Sequence, residues 1–275
     1  MLFPQIRQTL RLIRVPLTSA SGYRHLLREF IVRDVKGRFA GSMAGILWTL
    51  IHPLANMAVY LFLFSMVIRL RVTVGETGTD SFAVFFLTGL IPWLIFSEGL
   101  SRSVGCLIEN ANLITKVVFP VELLPASTVL SSFIVNGIGM LLFMIYLLFE
   151  GYAHGAWVFL AVIIPMQVLF TWGLAYGLAA ACVFMRDIRE LLGIVLMIWF
   201  YVTPIIYPIS MVPKVLRSAM VLNPMCGFME LYRGALLLHQ VPWTVVLRLG
   251  ILSALIYGAG AWFFMRTKPA FGDVL

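Results

Sequence analysis

The chain has 275 residues, 61% of them hydrophobic and only 12% charged, with a net charge of +8. A soluble domain carries roughly 25% charged residues, so a soluble globular fold is excluded, and the unit to count is the membrane span of about 20 apolar residues. Nor is the basic excess a nucleic-acid signature. Eight of the 20 Lys and Arg lie before residue 39, beside the first apolar block, where such an excess marks the cytoplasmic side, and no nucleic-acid-binding module accompanies them.

Residues 2–17 are broken by Arg7, Arg11 and Arg14, with Leu10, Ile13 and Leu17 at helical spacing. They read as a basic amphipathic segment on the membrane surface rather than a cleaved signal, which needs an uninterrupted apolar stretch. Residues 21–38 repeat the pattern. Leu26, Leu27, Phe30 and Ile31 supply one face, Arg24, Arg28 and Arg33 the other, and Ser21 is placed to cap the start. Apolar length then predicts six spans, near 43–68, 82–104, 123–148, 157–184, 191–208 and 243–265. With the N-terminus in the cytoplasm, loops 105–122 and 185–190 and the tail 266–275 face inward. Arg186, Arg189, Arg266 and Lys268 fit that side, whereas Arg69 and Arg71 in the outward loop 69–81 fit it less well. Residues 209–242 hold two apolar pieces too short to span, divided by Asn223-Pro224. They read as a re-entrant or interfacial helical hairpin near the outer face. Small residues repeat every four positions at Gly37, Gly41 and Gly45 and at Gly173, Gly177 and Ala181. Such stripes allow close helix approach, within one subunit or between two. The expected fold is therefore an all-α membrane protein.

Chemistry of the enzymatic kind is scarce. There is no G-x-x-x-x-G-K-[ST] loop to hold ATP phosphates, no H-E-x-x-H and no G-x-S-x-G. Cys106, Cys182 and Cys226 are far apart and read as free apolar thiols. His25, His52, His154 and His239 fall in four separate regions, which favours capping and interfacial roles. Charge inside a span is expensive and worth locating. Glu98 lies four residues before Arg102, so the two can pair on one helix face as a structural or gating pair. Aromatic residues are denser than an interfacial belt needs. Tyr60, Phe64, Phe85, Trp93, Phe96, Tyr201 and Tyr207 are candidates to line a pathway for an amphipathic substrate such as a sugar chain. The competing reading is helix packing and lipid contact.

The order of motifs is recognisable. Arg33-Asp34-Val35-Lys36-Gly37-Arg38-Phe39 leads to Gly45-Ile46-Leu47-Trp48 and Pro53-Leu54. Leu87-Thr88-Gly89-Leu90-Ile91-Pro92-Trp93 follows, and Glu109 to Pro120 form the loop. Arg186-Asp187-Ile188, Thr203-Pro204-Ile205-Ile206-Tyr207 and Asn223-Pro224 complete the series. From about residue 25 to 265 this resembles the membrane subunit of type-2 ABC exporters that move lipid-linked polysaccharides such as O-antigen, capsule or teichoic acid. The resemblance implies a homodimeric permease of the bacterial inner membrane, with both termini cytoplasmic. It implies two copies of a separate ATPase that binds ATP and Mg, and periplasmic or outer-membrane export components as further partners. It also implies that residues 107–119 form a coupling helix. Glu109, Asn112 and Lys116 there, with Arg28 and Arg33 before the first span, would meet the ATPase, and Asn112 would cap the short helix. Two rivals predict different chemistry: an ABC-2 exporter of a drug or small lipid, and an intramembrane transferase of envelope synthesis. The latter would need a cluster of acids or histidines, and the sequence offers none.

Overall fold

The computed structural model describes residues 15–68 and 72–275. The amphipathic reading of 2–17 falls almost wholly outside them, as do Arg69 and Arg71. The described chain is built from helices, with no extended strand. Residues 15–22 are helical and lead into α1 (Arg24–Gly37), whose buried side chain is Phe30. Ser21 does not cap α1. Its hydroxyl donates backward to the carbonyl of Thr18, and Tyr23 occupies the cap position without a side-chain bond.

Between α1 and α2 (Trp48–Leu61) the chain turns a corner at Gly41 and Gly45, with φ of +80° and +51°. Only glycine adopts such angles without strain. Gly41 and Gly45 thus make a corner, and within this chain a Cβ on Gly37, Gly41 or Gly45 would meet nothing within 4 Å. α2 continues through a six-residue π-helical segment, Phe62–Val67. The central helix is α3 (Phe82–Val104), started by the Ser81 hydroxyl, which accepts from the Val84 N–H. Its most apolar stretch is 83% buried inside the chain, against 6% for the first span. α5 (Leu123–Phe149), after the short α4 (Ala111–Lys116), and α6 (Leu160–Phe184) both pack on α3.

α7 (Ile188–Val202) departs from expectation. Among the described residues five helices are long and apolar enough to cross a membrane, one fewer than the six spans predicted. The predicted span 191–208 is helical only as far as Val202, over 15 residues, or about 22 Å. Thr203 precedes Pro204 and is extended, at φ −86° and ψ 133°, because a following proline ring disfavours the α conformation. Residues 209–242 form two short helices, α8 (Lys214–Met220) and α9 (Pro224–Leu236). Asn223 caps α9 by accepting from the Met225 N–H, and Pro224 sits in its first turn. α9 is buried on nearly every side, against α3, α6 and α10 (Trp243–Thr267).

The tightest helix pair is α6 with α10. A Cβ at Gly173 would lie 2.5 Å from the Tyr257 backbone, and one at Gly260 would lie 1.9 Å from the Gly173 carbonyl oxygen. Within the second small-residue stripe, Gly173 therefore serves packing inside one chain. After α10 the chain continues through a single tighter turn (Lys268–Ala270) into α11 (Phe271–Val274), with Phe271 buried against Phe264.

Candidate functional site

At the end of the bundle where α1 lies, charges interlock. α1 with its following residue, and α3, each carry an acid four residues before an arginine: Asp34 with Arg38, and Glu98 with Arg102. The expected Glu98–Arg102 pair does not form; the partners cross. Glu98 pairs with Arg38, and Arg102 with Asp34 at 2.7 Å, while Arg38 also reaches Asp34 at 3.3 Å. α5 completes the set. Arg38 donates to Ser131 Oγ at 3.1 Å and Ser132 Oγ at 2.9 Å, the Ser131 hydroxyl donates to Asp34, and Asn136 Nδ2 donates to Glu98 Oε2 at 2.8 Å. An i,i+4 pair on one helix contributes only about 0.2–0.5 kcal/mol. Arg38 is 7% exposed, and a buried cation is far more costly to leave unpaired than an exposed one, so tertiary partners prevail.

The loop between α3 and α5 presents the expected coupling residues. Glu109, Asn112 and Lys116 are exposed, as are Arg28 and Arg33 on α1. Arg33 donates to Asn110 Oδ1 at 3.1 Å and so ties α1 to this loop. Glu109 pairs with Arg189 in the first turn of α7 at 3.2 Å, with both partners more than half exposed. Asn112 is not the cap of α4. Asn110 holds that position, and its side-chain amide donates instead to the Cys106 carbonyl at 2.8 Å. A polar cavity of about 480 Å³, lined by Asp34, Arg102, Glu109, Asn110, Arg189 and Glu190 among others, joins the ion pairs to this loop. Burial pushes the Cys106 thiol up, which keeps it protonated and poorly nucleophilic.

Sequence reasoning missed Glu122. It is 2% exposed and pairs with Lys268 at 2.7 Å, and Ser19 Oγ donates to its other oxygen at 2.7 Å. One buried carboxylate thereby fastens the residues before α1, the start of α5 and the chain end after α10. Its only signal in the sequence is an acid at the margin of an apolar block.

The candidate channel aromatics divide. Phe85, Trp93 and Phe96 are 2%, 4% and 0% exposed. Trp93 and Phe96 pack in a ring cluster with Phe170, Trp199 and Phe200 of the same chain. In this conformation all three are buried in the packing between helices, and Phe85 also borders a cavity toward the far end of the bundle. Tyr60 and Phe64 are half-buried against Phe86. Tyr201 is 63% exposed, and the Tyr207 hydroxyl donates to its carbonyl at 2.8 Å.

The opposite end of the bundle holds two features that single-residue reading did not find. His154 and His239 stack with ring centroids 3.6 Å apart, although 85 positions separate them in sequence. His154 caps the turn Gly155–Phe159 by accepting from the Ala156 N–H. Burial, and then the neighbouring His239, lower its pKa from the ordinary 6.5. The second feature is Arg233 on α9, 8% exposed, with its guanidinium 3.7 Å above the Phe85 ring. It sat unremarked in a segment read as a hairpin.

A helical membrane protein with an amphipathic helix before its first long helix, latched to the second and third, and with an exposed loop helix between those two, has the layout of a transport subunit. Residues 25–237 match the family model for the ABC-2 type transporter, and the chain belongs to that family. Among its relatives is the O-antigen export system permease protein RfbA of Myxococcus xanthus, 32% identical over 91% of this chain and 95% of that protein. An RfbA of Klebsiella pneumoniae is 27% identical over 88% and 92%. The polysialic acid transport protein KpsM of Escherichia coli is 28% identical over 77% and 81%.

Proposed function

We propose that this chain is the channel-forming permease subunit of an ATP-driven exporter that carries a lipid-linked polysaccharide outward across the bacterial inner membrane. The observation that carries this is the near end-to-end match to O-antigen export permeases, 91% of this chain against 95% of the relative. The division of labour follows from the sequence. With no P-loop to cradle nucleotide phosphates, ATP and Mg belong to a separate ATPase, two copies of which serve a permease homodimer.

The geometry supports a path for the work. Glu109, Asn112, Lys116, Arg28 and Arg33 are exposed on one end of the bundle and form the ATPase-facing surface. Force on α1 reaches α3 through Arg38–Glu98 and Asp34–Arg102, and reaches α5 through Ser131 and Ser132. Both termini lie in the cytoplasm. That requires an even number of crossings, so α7 completes one together with the extended residues after Val202. Tyr60, Phe64, Tyr201 and Tyr207 are the aromatics left within reach of a glycan. Coexpression with the cognate ATPase tests the reading: the two should copurify and restore ATP-dependent surface polysaccharide in a permease-null strain. Failure to associate with any ATPase overturns it.

A further inference from the structure

A cavity of about 430 Å³ opens at the end of the bundle away from α1, bounded by α3, the Pro204–Pro208 segment, α8, α9 and α10. Three arginines line it, Arg217, Arg233 and Arg248, against two glutamates, Glu76 and Glu230. Among the described residues none of these five forms an ion pair within 4.0 Å. Glu76 accepts from the Ser210 N–H at 3.1 Å, and Arg217 donates to the carbonyls of Val212 and Ser210 at 2.8 and 2.6 Å. Glu230 and Arg248 stand exposed at the rim.

Arg233 is the unusual member. Its fork is held by the Phe85 face and by one bond, at 3.2 Å, to the Ile205 carbonyl, and its Nε has no partner. Gly89 makes room for it: a Cβ there would lie 3.1 Å from the guanidinium. A guanidinium carries five N–H donors and no acceptor, so a buried arginine without a carboxylate is a costly thing to build for packing alone. A planar cation steadied by an aromatic face and left with free donors is suited to phosphate oxygens.

We propose that this cavity binds a phosphate group, that of an anionic membrane amphiphile or free phosphate, with Arg233 as the deep anchor and Arg248 at the rim. Two observations favour the amphiphile. The remaining wall is largely apolar, with Phe85, Pro204, Ile209, Met220 and Val245. Arg233 also lies over a residue only one turn inside the start of α3 at Phe82, a depth that suits a glycerophosphate at the edge of the hydrocarbon. The volume lies at the small end of ligand pockets, roughly 300–1,000 Å³. It admits a head group and the first carbons of its tails, not a glycan chain. The export reading enters only in placing this cavity in the outer half of the membrane; binding in detergent measures neither export nor ATPase association.

The test is native mass spectrometry and thermal melting of the purified protein titrated with dioleoyl phosphatidylglycerol, dioleoylglycerol or inorganic phosphate. Phosphatidylglycerol should bind and raise the melting temperature, while dioleoylglycerol, which has the same tails and no phosphate, should not. R233M should weaken binding tenfold or more, and R248Q, exposed and dispensable for folding, severalfold. Saturation by millimolar inorganic phosphate with no preference for the lipid keeps the phosphate site and assigns it to the free ion. Equal binding of dioleoylglycerol and phosphatidylglycerol overturns the proposal. So does binding by R248Q and a folded R233M indistinguishable from the original chain.

Discussion

The two ends of the bundle handle buried charge in opposite ways. Beside α1, Asp34, Arg38, Glu98 and Arg102 neutralise one another and take further bonds from Ser131, Ser132 and Asn136, with Arg102 Nε alone among their buried polar atoms left without a partner. At the far end, Arg233 has an aromatic face and one carbonyl but no carboxylate. A set of charges that cancels itself positions helices and carries little net charge for a ligand. An open one leaves donors free, at a cost in stability that only a function explains.

The largest expected effect would break that contrast directly. Arg38→Met takes the cation from Glu98 and leaves Asp34 only Arg102 and Ser131, and should lower stability by about 3 kcal/mol, seen as a fall in detergent melting temperature. Adding Glu98→Met and Asp34→Asn should recover most of the loss. If Arg233 belonged to a closed set too, Arg233→Met would behave alike. The expectation is the reverse in sign: removal of an uncompensated cation leaves melting in lipid-free detergent unchanged or raised. Lys268→Ala sharpens the same point elsewhere. It leaves Glu122 with Ser19 as its hydrogen-bond partner and should cost about 1–3 kcal/mol by the same assay.

The His154–His239 stack adds a pH dependence to the far end. Because the folded pKa of His154 is lowered, the folded chain binds fewer protons there than the unfolded chain. Stability from this group is full above its ordinary 6.5 and is lost as pH falls through the folded value. Melting temperature should therefore drop between neutral and mildly acidic pH, and His154→Gln should flatten part of that slope. A slope unchanged in this variant would assign the acid sensitivity to other groups. Smallest of all is Glu109→Ala. The pair with Arg189 is exposed on both sides and should be worth no more than about 1 kcal/mol, so any larger loss of export in that variant would mark a contact with the ATPase.

Much of the fold was legible because apolar length alone marks long helices. Phe82–Val104, Leu123–Phe149 and the start of α10 lie close to the predicted boundaries. Asn223-Pro224 announced α9, since a capping amide and a proline in the first turn are local chemistry. What stayed hidden was tertiary. Glu98 and Arg102 match an i,i+4 pair on paper, and nothing in their own helix reveals partners 60 and 68 positions away. The retrievable signal was a duplication: two acid–arginine steps of the same spacing, on segments that lie side by side. Arg233 was hidden because an arginine reads as surface, and only the tertiary fold lays it against Phe85 of α3. The short α7 was overestimated because hydropathy continues through Thr203-Pro204 while backbone geometry does not.

The contact of α6 with α10 at Gly173 and Gly260 acts as a key in a slot. Slide either helix by one residue and an alanine, Ala259 or Ala261, takes the place of Gly260, where its methyl would drive into the opposing backbone. These two helices must travel as a single strut.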